Sequence, residues 1–192
     1  MNKEYYTLFN AQIQKKKKKG RFIMMENKNN YDEVSICADH DPRFNCDQMS
    51  QIREGLRLGL DVSAYADPKF NYAQMFQIRK GLGLGLDVSV YADPKFDGTQ
   101  MFEILEGLRL GLNISTYADP KFSYDQMFQI REGLKLDLDV SVYADPKFNY
   151  YQMYLIREGL KLGLDVSTYA DPEFSYDQMF QIYYKLIRNE NA

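Results

Sequence analysis

The two cysteines and the single histidine of this 192-residue chain lie close together, as Cys37-x2-His40-x5-Cys46. Three zinc-type ligands in ten residues, with Asp39, Asp41 or Asp47 as a fourth, would suit a tetrahedral metal ion. The spacing matches none of the recognised zinc patterns, and both cysteines stand where the next copy of the motif carries tyrosine (Tyr65, Tyr72). Two buried free thiols in a reducing cytoplasm are the expectation, and no metal. Aspartates recur (Asp61, Asp67, Asp87, Asp93, Asp119, Asp145, Asp165, Asp171) without the Asp-x-Asp spacing and glycine turn of calcium loops. Helix capping explains them better. With no HExxH, nucleophile elbow or phosphate-cradling glycine loop, no catalytic residue and no cofactor is expected, and the chain reads as a non-enzyme.

The residues suited to recognition are aromatic. Tyr72, Phe76 and Arg79 stand at i, i+4 and i+7, and the set recurs as Tyr124/Phe128/Arg131 and Tyr150/Tyr154/Arg157. On a helix this spacing puts all three on one flank. Tyrosine, phenylalanine and arginine are the residues of interface hot spots, so these nine are the candidate partner-binding residues. The same rings also suit a seam between neighbouring helices, and the arginines could pair internally with acids such as Asp67 or Asp93.

What must position them is a repeat. The six prolines, Pro42 to Pro172, each lie 26 residues after the last, and Met49, Met75, Met101, Met127, Met153 and Met179 keep the same step. In the unit Pro68–Asp93, Asn71 and Gln74 form a capping box, repeated as Asn45/Gln48, Asp97/Gln100, Ser123/Gln126, Asn149/Gln152 and Ser175/Gln178. The helix then runs through Met75, Ile78 and Leu82 and ends at Gly85, a natural left-handed C′ residue. Ser89 is expected to cap a shorter second helix through Val90, Tyr91 and Ala92, which Asp93-Pro94 stops. Gly55, Gly81, Gly107, Gly133 and Gly159 lie inside the helices at about 1 kcal/mol each relative to alanine, which implies a packing reason such as close approach of a neighbouring backbone. The fold class is therefore all-α, a solenoid of about six helix-turn-helix repeats with a C-terminal capping helix around Phe180–Arg188. Alternation at Leu82, Leu84, Leu86 and Val88 leaves a leucine-rich-repeat strand as the rival.

Residues 34–192 form the repeat domain, and residues 1–33 form a basic N-terminal segment expected to be disordered. That segment carries eight basic residues, including Lys15 to Lys19, against four acidic ones. Back-translation of Lys18–Met25 also allows a purine-rich ribosome-binding site before Met24 or Met25, so native translation starting there is a further expectation. The repeats keep 16 basic and 23 acidic residues. An acidic array suits a protein partner with a basic surface better than a phosphate backbone. Nucleic acid is the weaker reading, because the variable positions (Ala73, Thr99, Asp125, Tyr151, Asp177) are often acidic where a base-reading repeat needs a code. No apolar run reaches membrane-spanning length, and a cytoplasmic chain is expected.

The unit Gln-Met-x-x-Ile-Arg-x-Gly-Leu-x-x-Gly-Leu-Asp-Val-Ser-x-Tyr-Ala, best seen at Gln126–Asp145 and Gln152–Asp171, resembles short helical repeats in proteins of phages and conjugative elements of gut Firmicutes. The resemblance covers residues 34–182. It implies a mobile-element protein acting on a host or rival system, with a host defence nuclease (an anti-CRISPR-like role) as the first target class. A structural adaptor within the element's own machinery is the alternative. Leu58, Leu84, Leu110, Leu136 and Leu162 depart from the family, where a polar residue is usual, leaving open whether that edge is exposed or covers a further layer.

Overall fold

The computed structural model describes residues 41–188. Six α-helices of twelve residues keep the 26-residue step: α1 (Cys46–Arg57), α2 (Tyr72–Gly83), α3 (Gly98–Arg109), α4 (Tyr124–Lys135), α5 (Tyr150–Lys161) and α6 (Tyr176–Ile187). After each of the first five comes a single 3-10 turn: η1 (Val62–Ala64), η2 (Val88–Val90), η3 (Ile114–Thr116), η4 (Val140–Val142) and η5 (Val166–Thr168). There is no strand among the described residues, so the leucine-rich rival is excluded. The expected closing helix is the sixth unit's own helix, α6, and not an added element.

The chain divides into two compact units, residues 1–49 and 50–192, the division falling inside α1. In the first unit the described residues form a turn in which the Phe44 N–H donates to the Asp41 carbonyl at 3.0 Å. Asn45 and Gln48 then cap α1 reciprocally. The expected boundary at 33/34, the lysine run and the Met24/Met25 start lie outside the described residues. Within the second unit α2 to α6 pack each on the next, as a helical repeat solenoid.

All six capping boxes form. At Gln74, Gln100, Gln126 and Gln152 the glutamine has a second task. Gln74 accepts the Asn71 N–H through Oε1 at 2.7 Å and donates through Nε2 to the carbonyls of Pro94 and Phe96 in the next unit, at 3.2 and 2.6 Å. Gln100, Gln126 and Gln152 repeat both bonds. One side chain thus starts a helix and ties its unit to the following one, where the carbonyls would otherwise be buried unpaired.

Gly85 takes φ +70, with the Leu86 N–H donating to the Gly81 carbonyl and the Gly85 N–H to that of Leu82. This is the glycine-terminated helix end that the sequence predicts. In the fourth unit Asp137 occupies the same conformation at φ 55, where glycine would be unstrained.

The second helix differs from expectation. It is one 3-10 turn over Val88–Val90, and its cap is Asp87, whose carboxylate accepts the Ser89 N–H. A three-residue connector leaves no room for a second α-turn before Asp93-Pro94, and Asp87 sits one residue ahead of the turn, where a cap must be. Asp93 then closes its own turn, accepting the Lys95 N–H through its side chain and the Phe96 N–H through its carbonyl. The repeated aspartates are caps and turn formers.

The helix glycines serve a tyrosine rather than a neighbouring backbone. A Cβ on Gly81 would lie 2.1 Å from the Tyr91 hydroxyl and 2.8 Å from Val88, and the other four repeat the geometry. The Tyr65, Tyr91, Tyr117, Tyr143 and Tyr169 rings are wholly buried, and each hydroxyl donates to a helix carbonyl of its own unit, as Tyr65 does to Gln51 at 3.0 Å. Around these rings the core is Met75, Ile78, Met101, Ile104, Met127, Ile130, Met153 and Ile156.

Burial pushes every one of those tyrosine hydroxyls up, Tyr65 to about 12. The unfolded chain loses these protons near pH ~10. The folded state holds them to higher pH, so this contribution to stability is complete below ~10 and lost as pH rises toward the folded values. Absorbance at 295 nm is expected to show the exposed tyrosines titrating first. The buried five should ionise together with loss of helical ellipticity. A single smooth titration of all sixteen tyrosines with ellipticity intact would contradict this burial.

Among the described residues no helix is long and apolar enough to cross a membrane.

Candidate functional site

Helix periodicity and the 26-residue step together sort the candidates into rows. Tyr72, Tyr124 and Tyr154 are exposed, as is Phe128, whereas Phe76 and Tyr150 are half-buried. The row is richer than the nine residues, adding Phe102, Tyr151, Tyr176, Phe180 and Tyr184. Tyr151 reaches across units to Tyr176, ring centroids 6.0 Å apart and edge-on. Burying several such rings against a partner would supply most of the energy of an interface.

The arginines are engaged within the array. Arg79 lies over the Phe76 ring at 5.4 Å, Arg131 over Phe128 at 5.3 Å and Arg157 over Tyr154 at 5.4 Å. Two of them reach back to a position 28 residues earlier. The Arg79 Nε–H donates to Gln51 Oε1 at 2.9 Å, and the Arg131 Nε–H to Glu103 Oε2 at 2.8 Å. Asp67 and Asp93, suggested as arginine partners, are 3.4 and 4.0 Å from Lys69 and Lys95 instead. Arg131 is buried and Arg79 and Arg157 are half-buried, whereas the Phe128 and Tyr154 rings are exposed.

Sequence reading missed this 28-residue ladder, although the sequence carries its signal. Four of its acceptor positions are Gln51, Gln77, Glu103 and Gln129, and their partners are Arg79, Leu105, Arg131 and Arg157. The one acid faces a buried arginine, and the one leucine leaves its acceptor alone: Gln77 Oε1 is buried with no partner. Two steps on, Gln129 Oε1 and Arg157 Nε are the homologous acceptor and donor, each without a partner, while Arg157 pairs through Nη2 with Glu158 at 3.1 Å. Burial raises the Glu103 carboxyl above the usual carboxylate range despite Arg131. Desolvation outweighs one ion pair here.

The third unit also breaks the tyrosine row. Gly98 stands where α2, α4, α5 and α6 begin with tyrosine, and packs so closely that a Cβ would meet that of Ala73 at 2.7 Å. Beside it an open cleft of about 450 Å3 lies between Ala73, Gln77, Phe102, Glu103 and Tyr124, with Asp97 and Thr99 at its edge. A second, apolar cleft of about 420 Å3 lies on the connector side around Leu82, Leu86 and Val88. That side carries the leucines left open by the sequence: Leu58, Leu84, Leu110, Leu136 and Leu162 are 41–57% exposed, so this edge covers no further layer of the described residues.

No group of three His, Cys, Asp or Glu side chains able to hold a metal ion occurs among the described residues. Cys46, expected as a free thiol, is disulfide-bonded. Cys37, the only other cysteine of the chain, and His40 lie outside the described residues. Compared with protein-family models, curated proteins and solved structures, the chain matches none.

Proposed function

We propose that this chain is a non-enzymatic repeat protein that binds another protein through the outward row of Tyr72, Tyr124, Phe128, Tyr154, Tyr176 and Phe180. The observation that carries the reading is that these rings stay exposed while Arg79 and Arg131 are tied into the array. A helix seam would bury the rings, as the five core tyrosines are buried. Single exposed aromatics are ordinary on a surface, but a repeated row of them marks an interaction face. The acidic excess of the repeats favours a partner with a basic surface. Among such partners, the basic nucleic-acid channel of a host defence nuclease is the target class to which the phage-repeat resemblance points. Occlusion of that channel is the mechanism this row would serve.

Affinity capture from the native host by the full chain and by a Tyr124→Ala/Phe128→Ala/Tyr154→Ala variant tests the reading. Partner binding is expected to weaken at least about a hundredfold, since hot-spot aromatics contribute roughly 2 kcal/mol or more apiece. Thermal stability should hardly change, because none of the three is in the core. A partner retained at full affinity by the variant would move the site off this face. Capture of element-encoded proteins alone, with host restriction unaffected, would favour the adaptor reading.

A further inference from the structure

In the second and fourth units an arginine fills one constant place, above the ring of its own helix and bonded to the acceptor 28 residues back. In the third unit that arginine is Leu105, wholly buried, and the acceptor it would have met is Gln77, whose Oε1 has no partner. The tyrosine that would close the same spot is Gly98. Gly98 and the unpaired Gln77 line one cleft, with Phe102 and Tyr124 as apolar walls and Glu103 and Asp97 as further acceptors. No cationic residue lines it. Two cations touch its walls from outside the lining: Arg131 pairs with Glu103 and Glu132, and Lys80 lies over the Phe102 ring while pairing with Glu106 at 3.5 Å. We infer that this cleft receives an arginine side chain presented by the protein partner, which supplies from outside the guanidinium that Leu105 removes from within.

The chemistry fits a guanidinium better than a primary amine. Elsewhere in the array it is a planar group that stacks on the phenylalanine and donates Nε–H to an amide or carboxylate oxygen, and Phe102, Gln77 and Glu103 repeat that frame. Glu103, held protonation-prone by burial, gains from a second cation nearby. Gly98 leaves the entrance open, where a tyrosine would cover it. The inference rests on the protein-binding reading but specifies one contact within it.

The test uses the full chain and a defined probe, so that it stands apart from the search for the partner. The peptide acetyl-Gly-Arg-Gly-amide is titrated into 15N-labelled protein, with the citrulline peptide, equal in shape but uncharged, as its control. Saturable shifts at the Gly98 and Thr99 amides are expected with arginine, and binding about tenfold weaker with citrulline. Leu105→Arg, which copies the second and fourth units, should fill the cleft from within and weaken the peptide by at least about tenfold. If that variant does not fold, Asp97→Asn with Glu103→Gln serves in its place. Asn71 already caps α2 and Gln51 already accepts Arg79, so both residue types have a native precedent. No saturable shift, equal binding of the citrulline peptide, or undiminished binding by the variants would each overturn the inference. Failure of the aromatic triple variant to affect partner capture, with the peptide still bound at Gly98, would instead remove the wider reading and leave the cleft.

Discussion

Replacing Gly133 by alanine is expected to destabilise the array by about 3 kcal/mol, although helix propensity alone would predict a gain of roughly 1 kcal/mol. The two effects have opposite sign, and the geometry decides between them. An added Cβ would sit 2.0 Å from the Tyr143 hydroxyl oxygen, 2.8 Å from Val140 Cγ1 and 3.3 Å from Tyr143 Cζ. The hydroxyl cannot retreat without giving up its bond to the Gln129 carbonyl at 3.2 Å, inside a ring that is wholly buried. Tyr143→Phe alone should cost about 1 kcal/mol, the value of the lost hydrogen bond. In the double variant the oxygen is gone but Val140 and the ring carbon remain close, so it should recover part of the loss, with a coupling of about 1–2 kcal/mol. Urea unfolding of the four proteins measures the cycle. Additive losses would mean that the glycine is there for some reason other than the tyrosine. Because contacts in a solenoid run between neighbours, the damage should stay local, broadening the transition before it shifts all of it.

How far the sequence could be read depends on whether a feature repeats within one unit or across two. Asn71/Gln74 and Gly85 act within a few residues of each other, and both behave as the capping and left-handed preferences of those residues require. The connector was harder. Asp87 and Ser89 are both good caps, and only the three-residue length of the turn decides for Asp87. Gly81 signalled a close approach, but the tyrosine ten residues on that fills the space belongs to a loop whose path no local pattern gives. The second bonds of Gln74 and the reach of Arg79 to Gln51 span 20 to 28 residues and depend on how neighbouring helices stack. Comparing units position by position would have found the ladder, since Glu103 meets Arg131 and Leu105 meets Gln77 at the same offset. For the aromatic row, Tyr72 and Tyr124 were readable as outward, but i, i+4, i+7 spacing does not separate them from Arg131, which the same flank turns inward.

That ladder yields the other large expected effect. Glu103→Ala should cost about 3–5 kcal/mol, because it leaves the buried Arg131 guanidinium facing a gap with only Glu132, at 3.0 Å, to answer it. Glu103→Gln should cost far less, around 1 kcal/mol, since a glutamine at the equivalent place already accepts from Arg79. The contrast separates the charge from the contact. If pairing of opposite charges were what holds the two units together, alanine and glutamine would both be severe. If the requirement is an acceptor for a buried Nε–H, glutamine suffices. The chain also supplies an apolar version of the same step, with Leu155 and Tyr183 at the two positions. Glu103→Leu combined with Arg131→Tyr should therefore be clearly more stable than Glu103→Leu alone, because a buried ion pair replaced whole by packed apolar groups is commonly neutral or better, whereas half of one is not. Thermal and urea unfolding of these four variants beside the parent chain settle the order. A double variant no better than Glu103→Leu would show that the third and fourth units depend on the ion pair itself and not on filling the site.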